Sequence, residues 1–472
     1  MSAAADPRNG GGPQPDPQGP GDEQRGKRMG HPLLRAVGFG IGTLALSAPA
    51  WATGFELREQ SAVGQGASFA GAAARDDDPS MIFFNPAAMA SLPGLQGAVV
   101  GSGIFPVIEA TSGSATRNAL VGGSPIAGSL GGDIGLDAFV PALYSTAQVA
   151  PDWHLGISVT SPFGLVTKSA DDSISRYHGL TSSLKTINVA PTVSWQALPN
   201  LSFGAALNIE YATARLSNAV DFGAIGAAQR IPGFLPGARD GRATVTGNDT
   251  AVGFQLGAQW EPRAGTRLGL SFRSAVWHTL QGEAQFQGVP VPLSFSPAFA
   301  NAIGQAKLVT PETVTLGLRQ RIDDRWTLLG GLQWTNWSRF RELTVTFENG
   351  RAPSVTEERW RDTVFLSIGG EYRWSEALTL RGGVAWDQTP VRDAFRTPRI
   401  PDNDRTWLSV GASYQISRSI TLSGGYTHIF AADASVNLDD PGPGGSNLFR
   451  GNLASTYQGS VDIVTAQLRF AF

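Results

Sequence analysis

Cysteine is absent from this 472-residue chain, which removes disulfide frameworks, thiolate metal sites and cysteine nucleophiles together. Charge is scarce: 16% of residues are Asp, Glu, Lys or Arg, against roughly 25% in soluble domains. With 36 basic and 39 acidic side chains, the chain lacks the basic excess with which nucleic-acid binders meet phosphates. Long apolar runs are missing too. Mean hydropathy is −0.07, and nothing beyond residue 52 reaches the roughly 18 consecutive apolar residues of a membrane helix. His154, His178, His278 and His428 stand in no HExxH or paired spacing, and no GxSxG precedes a helix. Enzymatic activity, a metal and a cofactor are therefore not expected.

What is present begins with an address. Residues 1–28, rich in Gly, Pro and Asp, read as a disordered extension or as sequence upstream of a true start at Met29. A positive stretch ending at Arg35, an apolar run from Ala36 to Ala48, and Ala50 and Ala52 around Trp51 form a signal peptide over 29–52. Its removal takes five basic residues (Arg8, Arg25, Lys27, Arg28, Arg35) and four acidic ones (Asp6, Asp16, Asp22, Glu23), leaving 31 against 35, a net −4. An exported chain without a membrane helix is either soluble or a barrel.

Periodicity separates the two. Leu201, Phe203, Ala205, Leu207, Ile209 and Tyr211 alternate with Ser202, Gly204, Ala206, Asn208 and Glu210, a period of two that only a strand presents on separate faces. Fourteen such segments start near Leu95, Leu136, Trp153, Lys185, Leu201, Thr250, Thr266, Val309, Trp326, Asp362, Leu378, Asp404, Ile420 and Val461. Short turns such as Pro151-Asp152 and Pro199-Asn200 alternate with long connections, and strands end in aromatics such as Trp153, Trp195 and Trp260. These features predict an all-β, 14-stranded antiparallel transmembrane barrel over 94–472, in the outer membrane of a Gram-negative cell. A dry soluble sandwich would not line one face of every strand with polar residues.

Fourteen strands leave a lumen too wide for wall side chains to fill, so something must plug it. The candidate is 53–93, with a helical-looking run from Glu56 to Ala74, then Arg75-Asp76-Asp77-Asp78-Pro79 and Phe83-Phe84-Asn85-Pro86-Ala87. The three aspartates could bind calcium or form a solvated turn and helix cap. Gly54-Phe55-Glu56-Leu57-Arg58-Glu59-Gln60-Ser61-Ala62, Gly64-Gln65-Gly66, Phe69-Ala70-Gly71 and Asn85-Pro86-Ala87-Ala88-Met89 resemble the hatch of the FadL family of outer-membrane long-chain fatty-acid transporters. Ser161-Pro162-Phe163-Gly164-Leu165, Arg399 to Ser409, and Gly451-Asn452-Leu453 with Val461 to Phe472 are similar to that family's kinked third strand, its motif before strand twelve and its last strand.

The resemblance implies a hatch-plugged barrel and passive uptake of hydrophobic cargo that leaves sideways through the wall. Pro162 removes a ladder donor and Gly164 tolerates a bend, so Ser161, Pro162, Phe163 and Gly164 are the expected gate. Asn85, Pro86 and Ala87 are expected to touch that kink, unless they form an ordinary turn. The family's capture groove maps to loops 217–249 and 279–308, where Phe234, Leu235, Phe286, Leu293 and Phe295 are substrate-binding candidates; alternatively the loops pack on each other. Arg319 and Arg381 are candidate anchors for a carboxylate headgroup, or members of an ionic network with the hatch. The expected cargo is a long-chain fatty acid, the alternatives being aromatic or alkane hydrocarbons, or a general porin or adhesin role. Membrane lipid and lipopolysaccharide are the expected surroundings, nucleic acid is not an expected partner, and the barrel is expected to be a monomer.

Overall fold

The computed structural model describes residues 54–439 and 447–472; the expected extension and signal peptide, 1–52, lie outside the described residues. The wall runs β1 (Leu95–Thr116), β2 (Ala138–Ala150), β3 in two pieces (Trp153–Thr160 and Gly164–Lys168), β4 (Thr181–Leu198), β5 (Leu201–Asp221), β6 (Asp240–Arg263) and β7 (Thr266–Arg273 and Val276–Gln287). It continues through β8 (Ala302–Thr310 and Thr313–Arg321), β9 (Trp326–Thr335 and Glu342–Phe347), β10 (Ser354–Glu357 and Thr363–Arg373) and β11 (Leu378–Asp387). The last three strands are β12 (Arg405–Gln415), β13 (Ile420–Ala431 and Ala434–Leu438) and β14 (Asn452–Ala471). Neighbours pair antiparallel, and β14 returns to β1 from Gln96↔Ala471 to Thr116↔Asn452, closing a 14-stranded barrel. Closure removes the sheet edge that lipid could not satisfy.

Alternation sets the two faces. In β4, Ser182, Leu184, Thr186, Asn188, Ala190, Thr192 and Ser194 are buried in the lumen while their odd-numbered neighbours face outward. Near the short turns, Trp153 and Trp195 stack at 5.8 Å, and Phe203, Trp260 and Trp326 are likewise exposed, forming an interfacial girdle. At the opposite rim the strands run further than the sequence indicates. β6 begins at Asp240 and β8 at Ala302, because ladder pairing continues past the lipid-facing stretch where apolar alternation stops.

Residues 54–94 lie inside the barrel. The helix expected over 56–74 is replaced by one turn of α-helix, α1 (Ala62–Gln65), and the 3₁₀ turns Ala72–Ala74, Pro79–Phe83 and Pro86–Ser91. The reason is competition from the wall, which takes backbone groups that a helix would pair internally: Leu57 N–H donates to Pro162 O, and Glu59 O and Gln60 O accept from the Ser102 and Tyr144 hydroxyls. Left-handed conformations at Ser68, Phe69 and Gly71 break any longer helix, and the Gly71 N–H donates to the wall carbonyl of Gly330 at 3.0 Å. The wall meets the hatch with inward glycines, paired across strands as Gly204↔Gly257, Gly269↔Gly317, Gly369↔Gly383 and Gly411↔Gly425. A Cβ on Gly317 would sit 2.6 Å from Ala74 N, and one on Gly411 2.7 Å from Gly66 Cα.

Candidate functional site

At the third strand the wall has a window. β2 pairs with β1 up to Ile104↔Ala138 but with β3 only up to Leu143↔Val159, so residues 138–142 have no ladder partner on their β3 side. Above this interruption the wall resumes through loop 117–137, where Ile134 N–H donates to Ile108 O at 2.9 Å and Ile134 O accepts from Lys168 N–H at 3.0 Å. Three prolines frame the opening: Pro106 on β1, Pro141 on β2 and Pro162 at the β3 break. Each lacks the N–H that would otherwise seek a ladder partner.

Register shows how β3 bends. Thr160 pairs with Asn188 and Gly164 with Lys185, four steps on β3 against three on β4, so one extra residue bulges. Thr186 repairs that side. Its hydroxyl accepts from Phe163 N–H at 2.9 Å and donates to Phe163 O at 2.7 Å. On the window side the hatch substitutes for β2. Leu57 N–H donates to Pro162 O and Gly164 N–H to Phe55 O, both at 2.8 Å, while the Gln60 amide donates to Ser161 O at 2.8 Å. Ser161, Pro162, Phe163 and Gly164 thus share one constellation, backed by hatch residues 55–60.

The leading end is held in apolar surroundings. Phe55 packs on Trp337 at 4.6 Å, Trp360 at 5.5 Å, Phe340 at 5.7 Å and Phe163 at 6.0 Å. Gly54 N–H donates to the Asp402 carboxylate at 3.1 Å, which also takes the Thr389 hydroxyl at 2.7 Å and the Arg405 guanidinium. Beside the kink runs a crevice of ~20 Å³, room for about one water, lined by Glu56, Arg58, Phe83, Phe84, Phe163 and Arg273 among others.

Asn85, Pro86 and Ala87 stand elsewhere. The Asn85 amide donates to Ala73 O at 2.7 Å and Ala258 O at 3.0 Å, and its side-chain oxygen accepts from Ala87 N–H at 3.0 Å. The motif caps a 3₁₀ turn against β5, β6 and β7 rather than touching the kink. An Asn before Pro is extended and can cap whichever turn follows, so the dipeptide alone did not say which wall it faces.

Arg319 and Arg381 belong to an ionic network. Arg381 Nε donates to Glu371 at 2.7 Å, the buried Arg75 donates to Glu371 at 2.8 Å and to Asp77 at 2.9 Å, and Arg319 lies 3.7–3.8 Å from Asp76, Asp77 and Glu371. Burial works to raise the Asp77 carboxyl, but Arg75, Arg319, Arg381 and Arg469 outweigh it and hold the group below the usual carboxylate range. Asp78 caps Ser80 N–H at 2.9 Å. The three aspartates are thus a salt-bridged turn and cap, and no cluster suited to a metal occurs among the described residues.

The outer loops divide the capture candidates. Phe234 (7% exposed) and Leu293 (3%) are buried with Phe222 and Ile225, and Phe286 packs against them. Leu235 (67%) and Phe295 (80%) remain exposed. Sequence reasoning passed over Phe55, Gln60, Thr186 and Asp402 as individual site residues. Phe55 and Asp402 lay inside motifs already noticed, while Thr186 was one small polar residue in a lumen-facing register full of them.

An outer membrane protein of Neisseria meningitidis serogroup B is 31% identical over 458 residues, covering 92% of this chain and 97% of that protein. The long-chain fatty acid transport protein of Escherichia coli K12 is 27% identical, covering 79% and 86%. Among solved structures, a Pseudomonas aeruginosa FadL homologue superposes with a TM-score of 0.81 at 23% identity, covering 88% of this chain and 99% of that one. The Pseudomonas putida toluene transporter TodX gives 0.66 at 17%, covering 89% and 100%. Residues 43–472 match the family described as outer membrane protein transport protein (OMPP1/FadL/TodX), and the chain belongs to that family of outer-membrane transporters of hydrophobic compounds.

Proposed function

We propose that this barrel carries long-chain fatty acids passively. Cargo settles on the exposed loop residues Leu235 and Phe295, passes the aromatic cage around Phe55, and leaves sideways through the window between β2 and β3 into the outer membrane. Each CH₂ leaving water contributes roughly 0.8 kcal/mol, so an acyl chain favours an apolar route but does not cross the polar sugar layer unaided. The single observation that carries the reading is the ladder interruption at residues 138–142 opposite the β3 bulge. Unpaired backbone in lipid costs several kcal/mol per group, a cost without evident purpose unless something passes there. The relationship to the E. coli protein, named for long-chain fatty acids, supports the cargo class.

The test is uptake of labelled oleate, with toluene in parallel, by proteoliposomes. Deleting Phe163 together with Pro162→Val removes the extra residue and restores a donor, letting β3 zip onto β2. The expected result is loss of oleate uptake in a barrel that still shifts its gel mobility on boiling. Uptake at the parental rate would refute lateral exit, and toluene uptake without oleate uptake would refute the cargo class.

A further inference from the structure

Arg58 is 4% exposed, yet its Nε and one terminal nitrogen have no hydrogen-bond partner. Its other terminal nitrogen lies 3.3 Å from Glu56, and its guanidinium carbon sits 4.3 Å from the centre of the Phe365 ring. Buried guanidinium donors without acceptors are costly, and such groups are expected to meet a partner. The side chain lines the crevice beside Pro162 and Phe163, whose other charged members are Glu56 and Arg273. Two cations against one carboxylate leave the crevice wall one positive charge in excess. Arg273 donates to Phe83 O at 2.9 Å and Gln255 at 3.2 Å through one terminal nitrogen, whereas Arg58 has two buried nitrogens with no hydrogen-bond partner. The adjoining Glu59 makes no ion pair with it within 4.0 Å.

Resting on the fatty-acid reading above, we propose that Arg58 is the receptor for the anionic head of the cargo at the inner side of the window. A carboxylate accepts two parallel N–H donors from one edge of a guanidinium, and either edge of Arg58 includes one of its two open nitrogens, while Phe83, Phe84 and Phe163 receive the first carbons of the chain. The crevice has room for little more than a water until a ring turns aside, so the head is read at the moment the route opens. Arg58 thereby selects fatty carboxylates over neutral hydrocarbons of equal length. Arg381 is held by Glu371 at 2.7 Å and Arg319 faces Asp76, Asp77 and Glu371 at 3.7–3.8 Å, so both stand among the carboxylates of the hatch network and not in the crevice beside the kink.

Binding of oleate and of its methyl ester to the purified full chain in detergent, and uptake of both by proteoliposomes, tests the assignment in wild type, Arg58→Gln and Arg58→Lys. Heat-dependent gel mobility checks the barrel of each variant. Wild type is expected to bind oleate at least tenfold more tightly than the ester; Arg58→Gln should lower oleate to the level of the ester without changing the ester, and Arg58→Lys should restore part of the preference. An unchanged preference in Arg58→Gln, or equal loss of both ligands in both variants, overturns the receptor role. A wild type that carries ester and oleate alike also overturns it and leaves the transport reading standing, whereas a wild type that takes up neither overturns the transport reading itself.

Discussion

Glu59, next to Arg58 in the leading segment, is completely buried and neither of its carboxylate oxygens has a hydrogen-bond partner. Burial, reinforced by Asp387, outweighs the pull of its own nearby backbone amide and the attraction of Arg58 and Arg405, and pushes the carboxyl up from 4.5 to about 7. An acid raised in the folded state contributes its stability in full below pH 4.5. Between 4.5 and 7 the unfolded segment releases a proton that the folded one keeps, so stability falls as pH rises through about 7. At about 1.4 kcal/mol per pKa unit the loss is about 3 kcal/mol. Thermal unfolding in detergent should therefore show lower stability at pH 8 than at pH 5, and Glu59→Gln, with no proton to lose, should flatten that dependence. Parallel pH profiles for the two proteins would show that Glu59 is not the group responsible.

At the scale of elements, the close fit between hatch and wall rests on glycine. A Cβ on Gly269 would overlap the Ala73 carbonyl oxygen, whereas at Gly330 the nearest atom is 3.8 Å away. Overpacking at such a contact costs roughly 1–3 kcal/mol. Gly269→Val should push the hatch off β7 and raise ion leakage through a barrel that still folds, with Gly330→Val silent; equal leakage from both would mean that the glycine contact does not hold the hatch. The strands themselves were legible from sequence because alternation is a local property: Leu201 to Tyr211 reads correctly as wall with no knowledge of its neighbours. The hatch was not. Ala- and Gln-rich residues 56–74 favour a helix locally, but their carbonyls and amides are claimed by the wall, and which wall depends on long-range pairing. The bulge at Pro162 was visible as a proline and a glycine in a strand, whereas its partners Thr186 and Gln60 became visible only once β4 and the hatch were set beside it.

For the whole molecule, two barriers stand between the cell surface and the periplasm, and they are built differently. The lumen is blocked by the hatch, pinned near the short-turn rim by Arg75 to Glu371 at 2.8 Å and by Arg469 to Asp77 O at 2.7 Å. The window is backed by only six residues, 55–60, through hydrogen bonds to the kink. A 14-stranded wall emptied of its plug is wide enough to leave water inside. Deleting residues 53–93 should therefore turn a nearly silent protein into an ohmic channel in planar bilayers, while the β3-straightened protein should stay silent and lose only its uptake of oleate. The two outcomes are independent on the proposed route, in which ions follow the axis of the barrel and apolar cargo its side. A hatch-deleted barrel that conducts no better than the parent would mean that loops or wall side chains close the lumen, and the axial and lateral routes would no longer be separable on these grounds.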